Sequence, residues 1–457
     1  MYSHEYLERV KLFQDAIAMK KPSRTPNMSN FFTWKICDSE YSFKEAIYDY
    51  SIMKDIVIDF HKRYDFDAYM DLGTRNPIQV TDALGGGSHR LNEEGTGINV
   101  VDDVLIEAEE YEAFAKDPVG FSRKCFERKY PNVNSMMMMQ AIGNYMAFGQ
   151  YAGGVSATMA YQYQRASVFD MTGAVLCPTE FFTNGVRGLK GLSIDMRRHK
   201  DTLKAALDAY FENYIWPNFQ NHLNKDTSMY VVDFYTALLS YSIMSPKQFE
   251  TFCWPYLKKM VDEVVARDKT MLIFCESTML RFKDFFQEFP KGHVILQMEL
   301  DDVFEVRKEL PNACICGGLT TDLLGRGTAE ECVDMTKRLI DGMGDGFILS
   351  QNRMMSFQND CKRENMLAVN EYIHSMDNFS GIQDDPAAIG PDTPAPAPDP
   401  EIIKAAQAKW FEKSQALMAE PSFTDKWWEG IADSIELLPQ PARTGFLANF
   451  VNTALQQ

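Results

Sequence analysis

Three carboxylates sit where apolar runs give way to polar residues: Asp233 at the end of MYVVD, Glu276 after MLIFC and Glu299 after VILQM. Acids gathered at the ends of buried strands raise one another's pKa, so that one of them stays protonated and can donate to a departing oxygen. Zinc is a second reading of the same region. Glu276, Glu299 and Cys316 offer the oxygen and sulfur donors that a zinc ion takes, and its charge would stabilise the leaving oxygen directly. A third reading is structural, with these acids capping helices and joining salt bridges around a rim. Cys314 and Cys316 alternate along one run and so point to one face, where packing alone accounts for them.

The elements that must position these residues are legible around residues 313–352. An apolar run ends in Gly317-Gly318, and Thr328 with Glu331 spells a capping box. Cys332, Met335, Leu339 and Met343 follow at helical spacing, and a second apolar run stops at Ser350, Gln351 and Asn352. This is a strand, helix, strand unit of the kind that builds parallel sheets. Upstream, Ser245-Pro246 with Gln248 starts a helix by two independent rules. Strand patterns recur over residues 229–351 with helical patterns between them, a cadence that predicts a (β/α)8 TIM barrel, an α/β fold with its chemistry at the strand C-termini.

Helical additions precede the barrel, with amphipathic patterns over residues 5–20 and 42–64. Residues 1–379 form the expected barrel domain. A Pro/Ala/Asp-rich linker follows over residues 380–400, too poor in apolar groups to bury a core. Residues 401–457 read as a helical tail that packs on the barrel, on a twin subunit in a homodimer, or on a protein partner.

Composition narrows the function. With 46 Lys plus Arg against 64 Asp plus Glu, the net charge of −18 argues against a nucleic-acid surface. The nine cysteines lie mostly in apolar runs without a framework spacing, which fits reduced thiols, and residues 1–21 do not resemble a signal peptide. The expectation is a soluble cytoplasmic protein with no membrane and no nucleic-acid partner.

The segments KKPSRTPNMSNF, RGLKGLSIDM, SPKQFETFCWPYLKKMVDEV and, above all, the run from CICGG to SQN resemble the uroporphyrinogen decarboxylase superfamily, which includes cobalamin-dependent methyltransferases. The resemblance spans residues 20–373 and implies a (β/α)8 barrel with its site in the mouth. Two departures matter. Where the decarboxylases carry an arginine-rich stretch, this chain reads NMSNFFTWK. Where thiol-methylating members carry a His-x-Cys and distant-Cys zinc set, it reads Ile273-Phe-Cys275 and Gln351-Asn352. What remains resembles the first methyltransferase of anaerobic O-demethylase systems, which passes a methyl group from a small substrate, often an aryl methyl ether, to cobalamin on a partner corrinoid protein. Met28, Phe32 and Tyr235 are then candidates for the apolar wall around the substrate, with Asn30, Arg75, Gln351 and Asn352 as polar contacts. The alternative is a lyase that decarboxylates a smaller carboxylated substrate.

Overall fold

Apolar and β-branched runs of two to six residues form the strands of a parallel barrel: β1 (Asn27–Ser29), β2 (Ala68–Tyr69), β3 (Ala166–Ser167), β4 (Phe234–Leu238), β5 (Met271–Cys275), β6 (Val294–Met298), β7 (Cys314–Leu319) and β8 (Phe347–Gln351). The computed structural model describes residues 3–70, 77–376 and 446–457, with Glu401, Ala405, Ala408, Glu412, Gln415 and Trp428 individually. The sheet order is β3-β2-β1-β8-β7-β6-β5-β4. Its two edges meet where the Val231 and Val232 amides donate to the Ser167 and Val168 carbonyls at 3.1 and 2.8 Å. The expected (β/α)8 TIM-barrel fold is present.

Side chains alternate along each strand as the pleat requires. Leu272, Phe274, Ile295, Cys314, Cys316 and Ile348 pack into the interior, whereas Ile273, Leu296, Ile315 and Leu349 face the surrounding helices. The helix His4–Ile17 sends Tyr6, Phe13 and Ile17 into the interior cluster. An ionic ring surrounds that plug. Asp67, just before β2, accepts from Arg9 at 2.6 Å, from Arg24 at 2.6 and 2.7 Å and from the Asn27 amide at 2.8 Å, fully buried. Arg165, just before β3, reaches Asp65 and Glu5 at 2.6 and 2.9 Å. These residues all lie at or beyond the strand N-termini, so this mouth is closed by charge pairing and a helix.

The capping boxes at Ser42, Ser245 and Thr328 are formed. The helical stretch expected over residues 42–64 is two helices, Phe43–Tyr48 and Tyr50–Tyr64, because the Asp49 carboxylate caps a fresh start by accepting from Ser51 and Ile52. The glycine turn at residues 85–87 leads into an antiparallel hairpin, His89–Leu91 with Ile98–Val100. Of the tail, the helix Phe446–Gln456 packs on its own chain: Tyr130 and Lys129 donate to the Ala454 and Leu455 carbonyls at 2.7 and 2.9 Å. The linker expected over residues 380–400 lies outside the described residues. Among the described residues, no helix is long and apolar enough to cross a membrane.

Gly318 shows how closely the helices seat on the strands. Its φ is +105°, and a Cβ there would come within 2.7 Å of Leu339 on the helix Ala329–Met343. Both facts oppose any side chain. Gly318→Ala is expected to cost ~1–3 kcal/mol, read as a lower midpoint in denaturant at unchanged slope.

Candidate active site

The strand C-termini gather the site, and they sort the expected acids into two groups. Glu276 directly follows β5 and Glu299 directly follows β6, so both stand at the C-terminal mouth. Asp233 does not. The strand read as ending there continues through Phe234–Leu238, which puts Asp233 at the N-terminal end of β4. Its carboxylate meets Lys269 at 2.9 Å and the Thr270 amide at 2.8 Å, the residues that lead into β5. Burial alone would raise its pKa, but the hydrogen bonds from Lys269, Thr227 and Thr270 hold it below the usual carboxylate range. Asp233 therefore lies on the side of the closed mouth, tied to Lys269 and Thr270, and is corrected as a catalytic candidate.

A carboxylate that the strand-end pattern did not single out takes its place. Glu180, in the short helix Pro178–Phe181 beyond β3, is 1% exposed and reaches across to the end of β4. It accepts from the Leu239 amide at 3.2 Å, the Ser240 amide at 3.0 Å and the Ser240 hydroxyl at 2.5 Å. Burial pushes Glu180 up to about 8, against the pull of those donors, and repulsion from the Glu276 carboxylate adds to the rise. Two acids, from beyond β3 and β5 on either side of the end of β4, thus interact, one fully buried and one half-buried, which is the arrangement that retains a proton at neutral pH.

The rest of the rim is held rigidly. Glu299 accepts from the Ser277 amide and pairs with Arg353 at 3.2 Å. Ser277 itself sits at φ +77°, a strained conformation for a serine. Asp301 accepts from the Met279 and Leu280 amides. Asn352 bridges two strand ends, accepting from the Gly318 amide at 2.6 Å and donating to the Glu299 carbonyl at 3.1 Å. The Tyr241 phenol is raised by burial first and then by Cys275, Asp301 and Glu299, so it stays protonated beside them.

The expected substrate contacts separate in depth. Met28 and Phe32 are buried in the interior cluster, and Tyr235 lies low in β4, stacked on Phe169 at 4.4 Å between ring centroids. Asn30 and Gln351 are pinned to each other, with the Asn30 amide donating to Gln351 Oε1 at 2.7 Å and Asn30 Nδ2 to the Gln351 carbonyl at 3.2 Å. Arg75 lies outside the described residues. Arg187, named by the family-like stretch RGLKGLSIDM, is committed to Asp195 at 2.7 Å and to Glu107.

The zinc reading does not fit these residues. Among the described residues no group of three His, Cys, Asp or Glu side chains is placed to hold a metal ion. Cys316 is in the middle of β7, not at its end, because the chain continues through two positive-φ glycines to Leu319. Its thiol faces the interior beside Ser350, and burial holds it well above the usual thiol range, the opposite of what a metal ligand requires. The two cavities described elsewhere do not border this mouth. One, of about 10 Å³, lies under the C-terminal helix by Tyr210 and Val451; the other is an open cleft of about 670 Å³ by Trp216 and Trp254 on the outer wall.

With that geometry in place, comparison with known proteins is informative. Residues 155–376, which run from before β3 through β8 and its following helix, match the uroporphyrinogen decarboxylase (URO-D) family. The matched stretch, just under half of the chain, is similar to that family's domain. No curated protein matches it. Among solved structures, it is similar to a methyltransferase from Methanosarcina mazei at 14% identity and a TM-score of 0.53, over 80% of this chain and 98% of the other. That likeness is one of fold. The matched stretch contains Glu180, Glu276 and Glu299, and the N-terminal plug and its ionic ring partners Arg9, Arg24 and Asp67 precede it.

Proposed function

We propose that this protein is a methyltransferase that takes a methyl group from a small neutral methyl ether, of aryl type, and passes it to a reduced corrinoid carried by a partner protein. The observation that carries the reading is the Glu180 and Glu276 pair at the open mouth, which keeps a proton where an oxygen leaving group would need one. The solved methyltransferase of similar fold supports it. The departures from the arginine-rich and zinc-binding patterns point the same way.

The reduced corrinoid is the acceptor substrate and supplies the nucleophile. What this chain's residues do is position the ether and manage its proton. As the methyl carbon is taken by the acceptor, the carbon–oxygen bond breaks and the oxygen keeps the bonding pair. The proton is held by the buried Glu180, and the half-buried Glu276 beside it faces that oxygen and passes the proton on. Glu180, pushed up to about 8, gives that proton downhill to a phenolate, whose conjugate acid has a pKa of ~10. No step here runs through a zinc ion, since among the described residues no group of His, Cys, Asp and Glu is placed to hold one.

A carboxylated substrate suits this mouth poorly. The cations described there are already engaged, Arg353 by Glu299 and Arg281 by the Tyr241 and Ser242 carbonyls. The test is to mix the purified chain with photoreduced cob(I)alamin and a panel of methoxyarenes. Loss of the cob(I)alamin absorbance with formation of one equivalent of phenol is expected; no transfer from any ether, or carbon dioxide release from a carboxylated analogue, would contradict the proposal.

A further inference from the structure

Glu180 is carried by a helix too short to hold itself. Pro178–Phe181 is a single turn, and one turn gives up more dihedral freedom than its hydrogen bonds return, so its place is set by what it packs on. On one side Leu239 and Ser240 donate to the carboxylate. On the other, the next residue, Phe181, stacks on Tyr210 with 4.2 Å between ring centroids and planes 16° apart. Two one-turn π bulges meet at this stack, Phe182–Val186 directly after Phe181 and Phe211–Ile215 directly after Tyr210. Such bulges are rare in helices and recur at functional sites.

The helix Phe446–Gln456 touches both bulges. The Tyr210 hydroxyl donates to Asn452 Oδ1, and Tyr214, inside the second bulge, donates to Asn449 Oδ1 at 2.8 Å. Gly185, inside the first, is packed so closely that a Cβ there would stand 3.3 Å from both Gln456 and Phe181. Phe450, Val451, Ala454 and Leu455 are buried beneath. At the junction, the cavity of about 10 Å³ bordered by Tyr210, Tyr214 and Asn452 leaves the Tyr210 ring room to shift. Glu180, Phe181 and Tyr210 lie in the stretch matched to the URO-D family, and this helix lies outside it.

We propose that the helix Phe446–Gln456 positions the Glu180 carboxyl, acting through Asn452, Tyr210 and Phe181, so that the acid of the mouth is in place only while this helix is docked. This rests on the reading of Glu180 as the proton-holding acid. Asn452 and Tyr210 are positioning residues, each acting through the Phe181 ring. The titratable groups that face Glu180 are Glu276 and the Cys253 thiol, with Cys177 hydrogen-bonded to that thiol, and none of them is a cation. Loosening the stack therefore acts in one direction: water that reaches the carboxyl lets it ionise at lower pH.

Folding reads the position of Glu180 without any methyl transfer. Urea midpoints of the full-length chain are measured from pH 5 to 9 in the wild type, in Asn452→Ala, in Tyr210→Phe, which keeps the stack, and in both together. Tyr130→Phe is the control, because it cuts one hydrogen bond to the same helix, at the Ala454 carbonyl, and not the one that leads to Phe181. In the wild type the stability held by the Glu180 proton falls with rising pH and levels off near 8. In Asn452→Ala and in Tyr210→Phe the levelling is expected about one pH unit lower, with no further shift in the double variant. Tyr130→Phe should lower every midpoint by a similar amount and leave the levelling where it is. A levelling point unmoved by Asn452→Ala and Tyr210→Phe, or moved equally by Tyr130→Phe, overturns the positioning role. A wild type with no such fall removes the acid reading of Glu180 and this proposal with it. Failure of the methyl-transfer reading looks different: the fall and its shifts are present, and the wild type transfers no methyl group.

Discussion

Glu180→Gln is expected to lower the methyl-transfer rate by about 10²-fold or more, within the range that positioned acid catalysis supplies. The substitution keeps the shape and the acceptor for the Leu239 and Ser240 amides, so the fold should survive. What it removes is the second carboxyl of the pair. Without it no carboxyl of the pair is held up to about 8, and the alkaline limb of the rate profile moves down from there. A purely structural Glu180 would change the amplitude of the profile and leave its limb in place. Stability carries the same signature with a definite sign. Glu180 is raised in the folded chain above its unfolded value near 4.5, so the native state holds an extra proton between about 4.5 and 8. Its contribution is full below that window and is lost as pH rises through it, with a slope of ~1.4 kcal/mol per pH unit. The Gln variant should lack that slope in denaturation measured from pH 5 to 9.

Asp67→Asn should produce the largest loss of stability, ~3–5 kcal/mol, because it leaves the buried Arg9 and Arg24 guanidinium groups without their carboxylate. That is a large share of what a domain possesses. Burial by itself would raise the Asp67 pKa, but Arg24 and then Arg9 hold it far below the ordinary carboxylate range. A group depressed in this way contributes stability above its unfolded pKa near 4, and loses it as pH falls toward the folded value. The wild type and the variant should therefore converge in urea midpoint as the pH is taken down through the acid range, and differ most near neutrality. Since the ring lies at the mouth away from the rim acids, the fraction of Asp67→Asn that remains folded should turn over at a near-wild-type rate.

The barrel was legible because its strands announce themselves: MLIFC, VILQM and FILSQ stop where polar residues begin, and the structure ends β5, β6 and β8 there. The capping chemistry at Ser245 and Thr328 was equally direct, since a hydroxyl and a carboxylate or amide three residues on have few other uses at those places. Asp233 misled for the same reason that Glu276 did not. A single acid after an apolar run reads as a strand end, yet FYTAL resumes the pleat beyond it and Lys269 supplies the partner that makes an acid tolerable at the strand's foot. Cys316 misled because Gly317-Gly318 reads as a turn, whereas two glycines at φ +135° and +105° carry the strand on to Leu319.

Glu180 was hidden by its setting. In CPTEFF it follows a proline that starts a helix, and an acid in a first helical turn is ordinarily a favourable partner of the helix dipole. The available signal was that Phe181 and Phe182 follow it directly, so the acid enters the core with them. Only tertiary structure brings Ser240 and Glu276 to it.

The most direct test is the pH dependence of single-turnover methyl transfer from a methoxyarene to cob(I)alamin, compared between the wild type and Glu180→Gln. A wild-type rate that falls above about pH 8, with a slower variant whose fall begins at lower pH, is what a shared proton at the mouth predicts. A variant with the wild-type rate and the wild-type profile would contradict it.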